Sequence, residues 1–288
     1  MTGYIQGIKF PNGEGTATRG SAGKAPLRLR NGRIARSFDL SGKRVLDVGC
    51  GIGLYSLYMA DSAKEVVGID HQTSRIAVAE KTRQMLGVQN VTFRVADIRD
   101  LEFLKEIGNF DLIVAWGFLH RIPDIFTPLY NLSTMTDAFS LEWMTPVFPF
   151  MRRASVAYHR NDVGILDPTN LVPPGHFTAE ELSSRKLGGK SGYWCPTPFA
   201  VESILRKCGF GGSRILGYGE KLLAERIYVM KHLAQTAIRR SDATYARVHM
   251  LVERSPGSIN FKFKDFNEAE FPTWDVAGRA YAGQSSSS

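Results

Sequence analysis

Three glycines stand at every second position, Gly49, Gly51 and Gly53, directly after the apolar run Val45-Leu46-Asp47-Val48. Glycines between a strand and a helix let the backbone bend tightly and let a ligand approach with no Cβ in the way. That is the chemistry of a nucleotide-type site. Asp70 closes a second apolar run, VVGID, 21 positions after Gly49, where a carboxylate can accept hydrogen bonds from both ribose hydroxyls. Asp97, in VADI at the end of a third run, can accept from an adenine amino group while the backbone of Ile98 addresses the ring; the competing role for Asp97 is an ordinary helix N-cap. Asp47 lies inside its apolar strand and would cost free energy if buried without partners. A ligand ammonium or the loop's own N–H groups would satisfy it.

The spacing separates two cofactor classes. A dinucleotide fold wants Gly-x-Gly-x-x-Gly with pyrophosphate at a helix N-terminus, whereas here the third glycine comes one position early and Leu54 takes the place of the last. A ligand with adenine, ribose and a zwitterionic tail but no phosphates suits this loop, and S-adenosylmethionine is that ligand. Cys50 within the loop and His71 beside Asp70 complete the expected cofactor set, with Trp116 further along the chain.

These residues need a parallel sheet to bring them together. From Lys43 onward, strand-like runs (RVLDVG, EVVGID, VTFRVAD, FDLIVAWG) alternate with helical patterns (YSLYMADSA, SRIAVAEKTRQML, IRDLEFLKEIG, IFTPLYNLSTM), and DAFSLEWM supplies a fifth strand. Strands apolar throughout fit a sheet covered on both faces by right-handed crossovers. Regularity lapses between Thr145 and Cys195, then resumes with the helix TPFAVESILRKCGF, the strand SRILGYG, a helical KLLAERIYVMKHLAQTAI and the strand ARVHMLVERS. The expectation is an α/β, Rossmann-like, doubly wound seven-stranded sheet with a cap inserted after the fifth strand. Its parts are a basic arm, disordered in part, over 1–42, a cofactor half over 43–143, the cap over 144–195, the remaining helices and last two strands over 196–257, and a tail over 258–288. INFKFKDF, at the start of that tail, reads as an added edge strand or as a surface-docked segment.

Taken together, VLDVGCGIG, VVGID, VTFRVADI and FDLIVAWGFLHRIPD are similar, in order and spacing, to the successive motifs of class I S-adenosylmethionine-dependent methyltransferases. The resemblance covers about residues 43 to 143. It implies a seven-stranded sheet whose last strand is reversed, Asp70 on the ribose, Asp97 and Ile98 at adenine, and Asp47, Gly49, Gly51 and Gly53 at the methionine moiety, with the backbone near Trp116 also touching it. A narrower likeness joins WGFLHRIPD, LVPPGHF and YWCPTPFAVESILRKCGF to the methyltransferases and carboxymethyltransferases acting on 5-hydroxyuridine at the tRNA wobble position. This chain departs from them at Leu119-His120-Arg121, which lacks their tyrosine, and at Lys190, which stands where they carry an arginine.

Methyl transfer is an in-line displacement at a sulfonium, so the protein mainly aligns nucleophile, methyl carbon and sulfur. A base near the methyl helps when the acceptor must lose a proton. His120, just after the fourth strand, is the first candidate, with Glu142 and His159 behind it; each has a structural role as its alternative. Phe118, Trp116, Trp143, Tyr158 and Trp194 are expected to wall the acceptor pocket. Arg152, Arg153 and Lys190 are expected to hold an anionic group on the acceptor.

Charge narrows the partners. Of a net charge of +8, residues 1–44 carry nine Lys/Arg against Glu14 and Asp39, so the body is almost neutral. The arm is either a solvated leader or a contact for an anionic partner, and the body suits a small polar acceptor better than a folded tRNA. Cys50, Cys195 and Cys208 have neither disulfide nor metal-ligand spacing, so no metal is expected. No apolar run is long enough to span a bilayer and the start lacks a secretory pattern, which gives a cytoplasmic expectation. The expected activity is transfer of a methyl group from S-adenosylmethionine to an oxygen or nitrogen of a polar small molecule. An RNA-modifying methyltransferase is the runner-up; a nicotinamide-dependent oxidoreductase and a non-catalytic S-adenosylmethionine-binding protein are the alternatives of other classes.

Overall fold

A computed structural model describes residues 25–117, 119, 122, 125–146, 155–159, 162–165, 193–196, 198–218, 221–222 and 245–262. The alternating runs form β1 (Arg44–Val48), α2 (Leu54–Met59), β2 (Glu65–Asp70), α3 (Thr73–Met85), β3 (Val91–Val95), α4 (Leu101–Ile107), β4 (Leu112–Trp116), α5 (Phe126–Ser133) and β5 (Ala138–Pro146). A helix α1 (Ala25–Ser37) precedes them. After β5 come β6 (Ser155–His159), β7 (Asp162–Ile165), β8 (Tyr193–Pro196), α6 (Pro198–Lys207), β9 (Gly212–Tyr218), β10 (Lys221–Leu222) and β11 (Tyr245–Glu253).

The main sheet is ordered β10-β9-β11-β5-β4-β1-β2-β3. β1 runs parallel to β2 and β4, β2 parallel to β3, and β11 antiparallel to both β5 and β9, so the last strand in sequence runs against both its neighbours. Every residue of β4 is buried, as its unbroken apolar sequence requires of a strand covered on both faces. Strand order reverses between β1 and β4, and in open parallel sheets ligands bind outside the carboxyl ends of the strands at that switch. The glycine loop leaves β1 there.

By its internal contacts the chain divides into two compact units, Met1–Val114 with Gly257–Ser288, and Ala115–Pro256. In the first, the second half of the basic arm is not a solvated leader. Residues 25–37 are helical, and Arg30, Ile34, Ala35, Phe38 and Leu40 are buried. Arg36 lies over the Tyr58 ring at 4.7 Å, and Arg30 donates to Asn31 Oδ1. The start of the expected tail is tied to this segment. Phe261 forms a single antiparallel bridge with Phe38, their rings meet edge to face at 4.9 Å, and Asp39 N donates to Asn260 O. INFKFKDF therefore docks by one bridge, as far as it is described, and adds no edge strand.

In the second unit, β6, β7 and β8 form a separate antiparallel sheet in the order β7-β6-β8, inside the stretch expected to be the cap. β10 corrects the helical reading of KLLAERIYVMKHLAQTAI at its first two residues, which pair with β9 and give the main sheet an eighth strand; the remainder of that segment lies outside the described residues. Among the described residues, no helix is long and apolar enough to cross a membrane.

Candidate active site

The glycine loop is tied to the neighbouring strand. Gly49 N and Cys50 N both donate to Ile69 O, at 2.8 and 3.0 Å, and Gly49, Gly51 and Gly53 all have φ between 63° and 83°. Gly53 meets two demands. Its φ of 83° favours glycine, and a Cβ added there would lie 2.4 Å from the Phe93 ring. Glycine at 53 thus serves the packing of α2 on β3 as well as the turn. The Cys50 side chain is buried and its backbone N–H and carbonyl are bonded to Ile69 O and Gly53 N, so this residue shapes the loop and offers no thiol to a ligand. Burial pushes its thiol well above the ordinary range.

Two buried carboxylates flank the loop. Asp47 accepts a 2.6 Å hydrogen bond from Ser56 Oγ in the first turns of α2. Burial raises its carboxyl to about 7, against the Ser56 hydrogen bond that lowers it, and the charge of Asp70 adds to the rise. A carboxyl in that state is poised to gain from a cation. Asp70, at the end of β2, accepts from Gly51 N at 3.1 Å, Gln72 N at 2.9 Å and Arg75 Nη1 at 3.3 Å. His71 is exposed, with Nδ1 3.5 Å from Asp70 Oδ1. Ser56 and Arg75 belong to this site and were missed in the sequence. The signal for each is its spacing: Ser56 sits one helical turn past the glycines, and Arg75 lies in the first turn of α3.

Asp97 is not the cap of α4. That role falls to Asp100, whose carboxylate accepts from Phe103 N at 3.0 Å. Asp97 instead holds Arg99 in a fork, with Nε at 2.8 and 3.0 Å from its two oxygens and Nη2 on Oδ2. Those hydrogen bonds lower its pKa. Its oxygens are thus largely engaged by Arg99, and an adenine amino group has to share or displace that guanidinium. Ile98 beside it is buried, whereas Val95 and Leu101 are exposed.

In the second unit, the β5 alternation separates two candidates, Trp143 and Glu142. Phe139, Leu141 and Trp143 share one face; Ser140 and Glu142 share the other. Trp143 is fully buried and its Nε1 donates to Pro196 O at 2.8 Å, so it is core and not a pocket wall. Glu142 is 1% exposed and both its oxygens accept from Arg247 Nη1, at 3.0 and 2.9 Å. Both oxygens of Glu142 are thus occupied by Arg247 of β11. Trp116, the last residue of β4, donates from Nε1 to Ser140 Oγ at 3.0 Å, and Ser140 Oγ lies 2.8 Å from His249 Nε2. Ser140, Arg247 and His249 were not singled out in the sequence.

His159 and Tyr158 lie on β6, in register with Asp162 and Val163 of β7, and Trp194 lies on β8 in register with Ala157. Phe118, His120, Arg152, Arg153 and Lys190 lie outside the described residues. Among the described residues no cluster of His, Cys, Asp and Glu could hold a metal ion.

Comparison with known proteins shows the family and the fold. Residues 39–137 match the family described as Methyltransferase domain. A ubiquinone biosynthesis O-methyltransferase of Acinetobacter baumannii (strain AYE) is 35% identical over 99 residues, which are 34% of this chain and 41% of that protein. Its counterpart in Chromobacterium violaceum is 32% identical over 164 residues, 57% of this chain and 67% of that protein. The chain thus spans less than half the length of the first of these curated relatives and two thirds of the second. The N-terminal domain of EvdMO1, crystallised in the presence of S-adenosylhomocysteine and D-fucose, superposes with a TM-score of 0.55 at 17% identity, covering 87% of this chain and 91% of that one. The YcgJ protein from Bacillus subtilis gives 0.51 at 14% identity, covering 80% and 100%. At these identities the structural likeness is one of fold.

Proposed function

The chain belongs to the class I S-adenosylmethionine-dependent methyltransferases, and from that premise we propose that it transfers a methyl group to an oxygen or nitrogen of a polar small molecule bearing an anionic group. The observation that carries this reading is the glycine loop at the exit of β1, set between two buried carboxylates at the strand switch. In this reading Asp70 accepts from the ribose hydroxyls, Asp47 faces the cofactor's ammonium, Asp97 and Ile98 meet adenine, and the backbone at Trp116 meets the methionyl group. S-Adenosylmethionine, once bound, supplies a sulfonium methyl. The chain's part would be to align the acceptor's oxygen or nitrogen with that methyl and to let the acceptor's proton pass to a base or to water.

His120 is the proposed base, four residues past the end of β4, with His159 the second choice. Phe118, Tyr158 and Trp194 are proposed to wall the acceptor, and Arg152, Arg153 and Lys190 to hold its anionic group. The name shared by the curated relatives, ubiquinone biosynthesis O-methyltransferase, supports an oxygen acceptor. A cytoplasmic setting belongs to the same reading, supported by three cysteines without disulfide spacing.

A turnover assay with radiolabelled S-adenosylmethionine and a panel of phenolic, carboxylic and amine acceptors tests the proposal. Stoichiometric formation of S-adenosylhomocysteine with a methylated small molecule is expected. Methylation of bulk tRNA with none of the small acceptors would overturn the acceptor class.

A further inference from the structure

A polar row lies at the carboxyl end of β4, on one face of a sheet that is otherwise apolar there. Its members are Trp116 on β4, Ser140 and Glu142 on β5, and Arg247 and His249 on β11. Register pairs His249 with Glu142 and Leu251 with Ser140, which sets Ser140 and His249 diagonally across two strands. Ser140 and His249 have no exposed surface, and Glu142 has 1%. Buried polar groups in a sheet core are costly unless fully paired, and apolar residues of like size would serve packing alone at least as well.

The row is paired in a definite order. Indole nitrogen only donates, so Ser140 Oγ accepts from Trp116 Nε1, and the same oxygen shares a 2.8 Å hydrogen bond with His249 Nε2 whose direction is set by the ring's tautomer. The three side chains thus form one continuous hydrogen-bonded row. The His249 ring also meets Trp116 edge-on, with centroids 4.7 Å apart at 69°. The next residue is held from the other side. Gly117 N donates to Glu142 O at 2.8 Å, Gly117 has φ of 72°, and a Cβ there would lie 3.6 Å from both Arg247 Nη1 and Glu142 Oε2. The turn leaving β4 is thereby fixed twice, through the Trp116 side chain, whose anchor runs by way of Ser140 to His249 on β11, and through the Gly117 backbone, whose anchor is the Glu142 carbonyl on β5.

We propose that Ser140 and His249 are positioning residues that hold the Trp116–Gly117 turn where it meets the methionyl end of the cofactor. This rests on the methyltransferase reading above, which brings that end of the cofactor to the exit of β4. The acceptor must line up behind the methyl, so a turn that shifts by a fraction of an ångström misplaces the reacting atoms.

The two ends of the cofactor can be titrated separately. S-Adenosylhomocysteine carries the methionyl part, and 5′-methylthioadenosine has the adenosine but lacks the amino-acid tail. Calorimetry on wild type, Ser140→Ala, His249→Leu and His249→Gln, each checked for folding by its thermal melt, measures both ligands. Ser140→Ala and His249→Leu should weaken S-adenosylhomocysteine about tenfold while 5′-methylthioadenosine stays within twofold of wild type. His249→Gln, whose amide can still meet Ser140 Oγ, should recover most of the loss. Folded variants that bind both ligands as wild type does, or that lose both equally, would overturn the positioning role. If Ser140→Ala does not fold, the contrast between His249→Leu and His249→Gln decides the matter alone. Wild type that binds neither ligand would instead overturn the methyltransferase reading, and this inference with it.

Discussion

The Asp47 carboxyl is raised by burial to about 7, which makes the stability of the protein depend on pH. An acid with a higher pKa folded than unfolded binds its proton more tightly in the native chain. Its stabilising contribution is fully present below the unfolded value near about 4 and is lost as pH rises to about 7. Ligand-free wild type should therefore lose on the order of 2 to 4 kcal/mol of stability relative to Asp47→Asn between pH 5 and pH 8. Denaturant titrations of both proteins at the two pH values measure it; parallel pH profiles would show that Asp47 does not titrate there. At Asp70 the expectation concerns affinity. Replacing it by Ala should weaken S-adenosylmethionine by about 1.5 to 3 kcal/mol, the scale of lost charge-assisted hydrogen bonds, in a protein that still folds but melts lower, because Gly51 N, Gln72 N and Arg75 Nη1 lose their acceptor. Unaltered affinity in calorimetry would remove the ribose assignment. His120→Ala should lower turnover about a hundredfold or more at unchanged cofactor affinity, and a steady-state loss under threefold would return His120 to a structural role.

Among the elements, the strands and the glycine loop were legible in the sequence because their signals are local. VLDVG and DLIVAW are continuous apolar runs, and the glycines mark the turn between β1 and α2. β5 was legible as a strand, yet its two faces were not used, although the alternation of Phe139, Leu141 and Trp143 with Ser140 and Glu142 already separated core from polar row. What lay beyond the sequence was the identity of the partners. Arg247 and His249 stand 105 and 109 residues from Glu142 and Ser140, and no local pattern links them. The helix α1 was obscured by its own composition, since its arginines read as solvent-facing, while its fold buries Arg30. The loop itself is open to a direct test. Gly53→Val places a branched side chain at a φ of 83° and against the Phe93 ring, so it should lower the melting temperature as well as abolish cofactor binding. A variant with wild-type melting and wild-type affinity would contradict the packing described for this turn.

At the scale of the whole molecule, the charge lies at one end of the chain and the cofactor residues at the strand switch. Asp47, the glycine loop and Asp70 belong to the same compact unit as α1, whereas residues 1–24 precede every element described. Removing residues 1–24 should leave cofactor affinity unchanged, and the full chain should bind bulk tRNA no more tightly than about 10⁻⁶ to 10⁻⁴ M at physiological salt, the nonspecific range. Filter binding across a salt series checks this; submicromolar tRNA binding that disappears with the arm would favour an RNA acceptor. The account depends most on the loop between Asp47 and Asp70 being built for an adenosyl ligand without phosphates. Calorimetric titration of the wild-type protein at pH 8 with S-adenosylhomocysteine and, separately, with NAD tests that claim most directly. The account predicts saturable one-to-one binding of S-adenosylhomocysteine, weakened in Asp70→Ala, and no saturable heat with NAD; one-to-one binding of NAD with none of S-adenosylhomocysteine would contradict it.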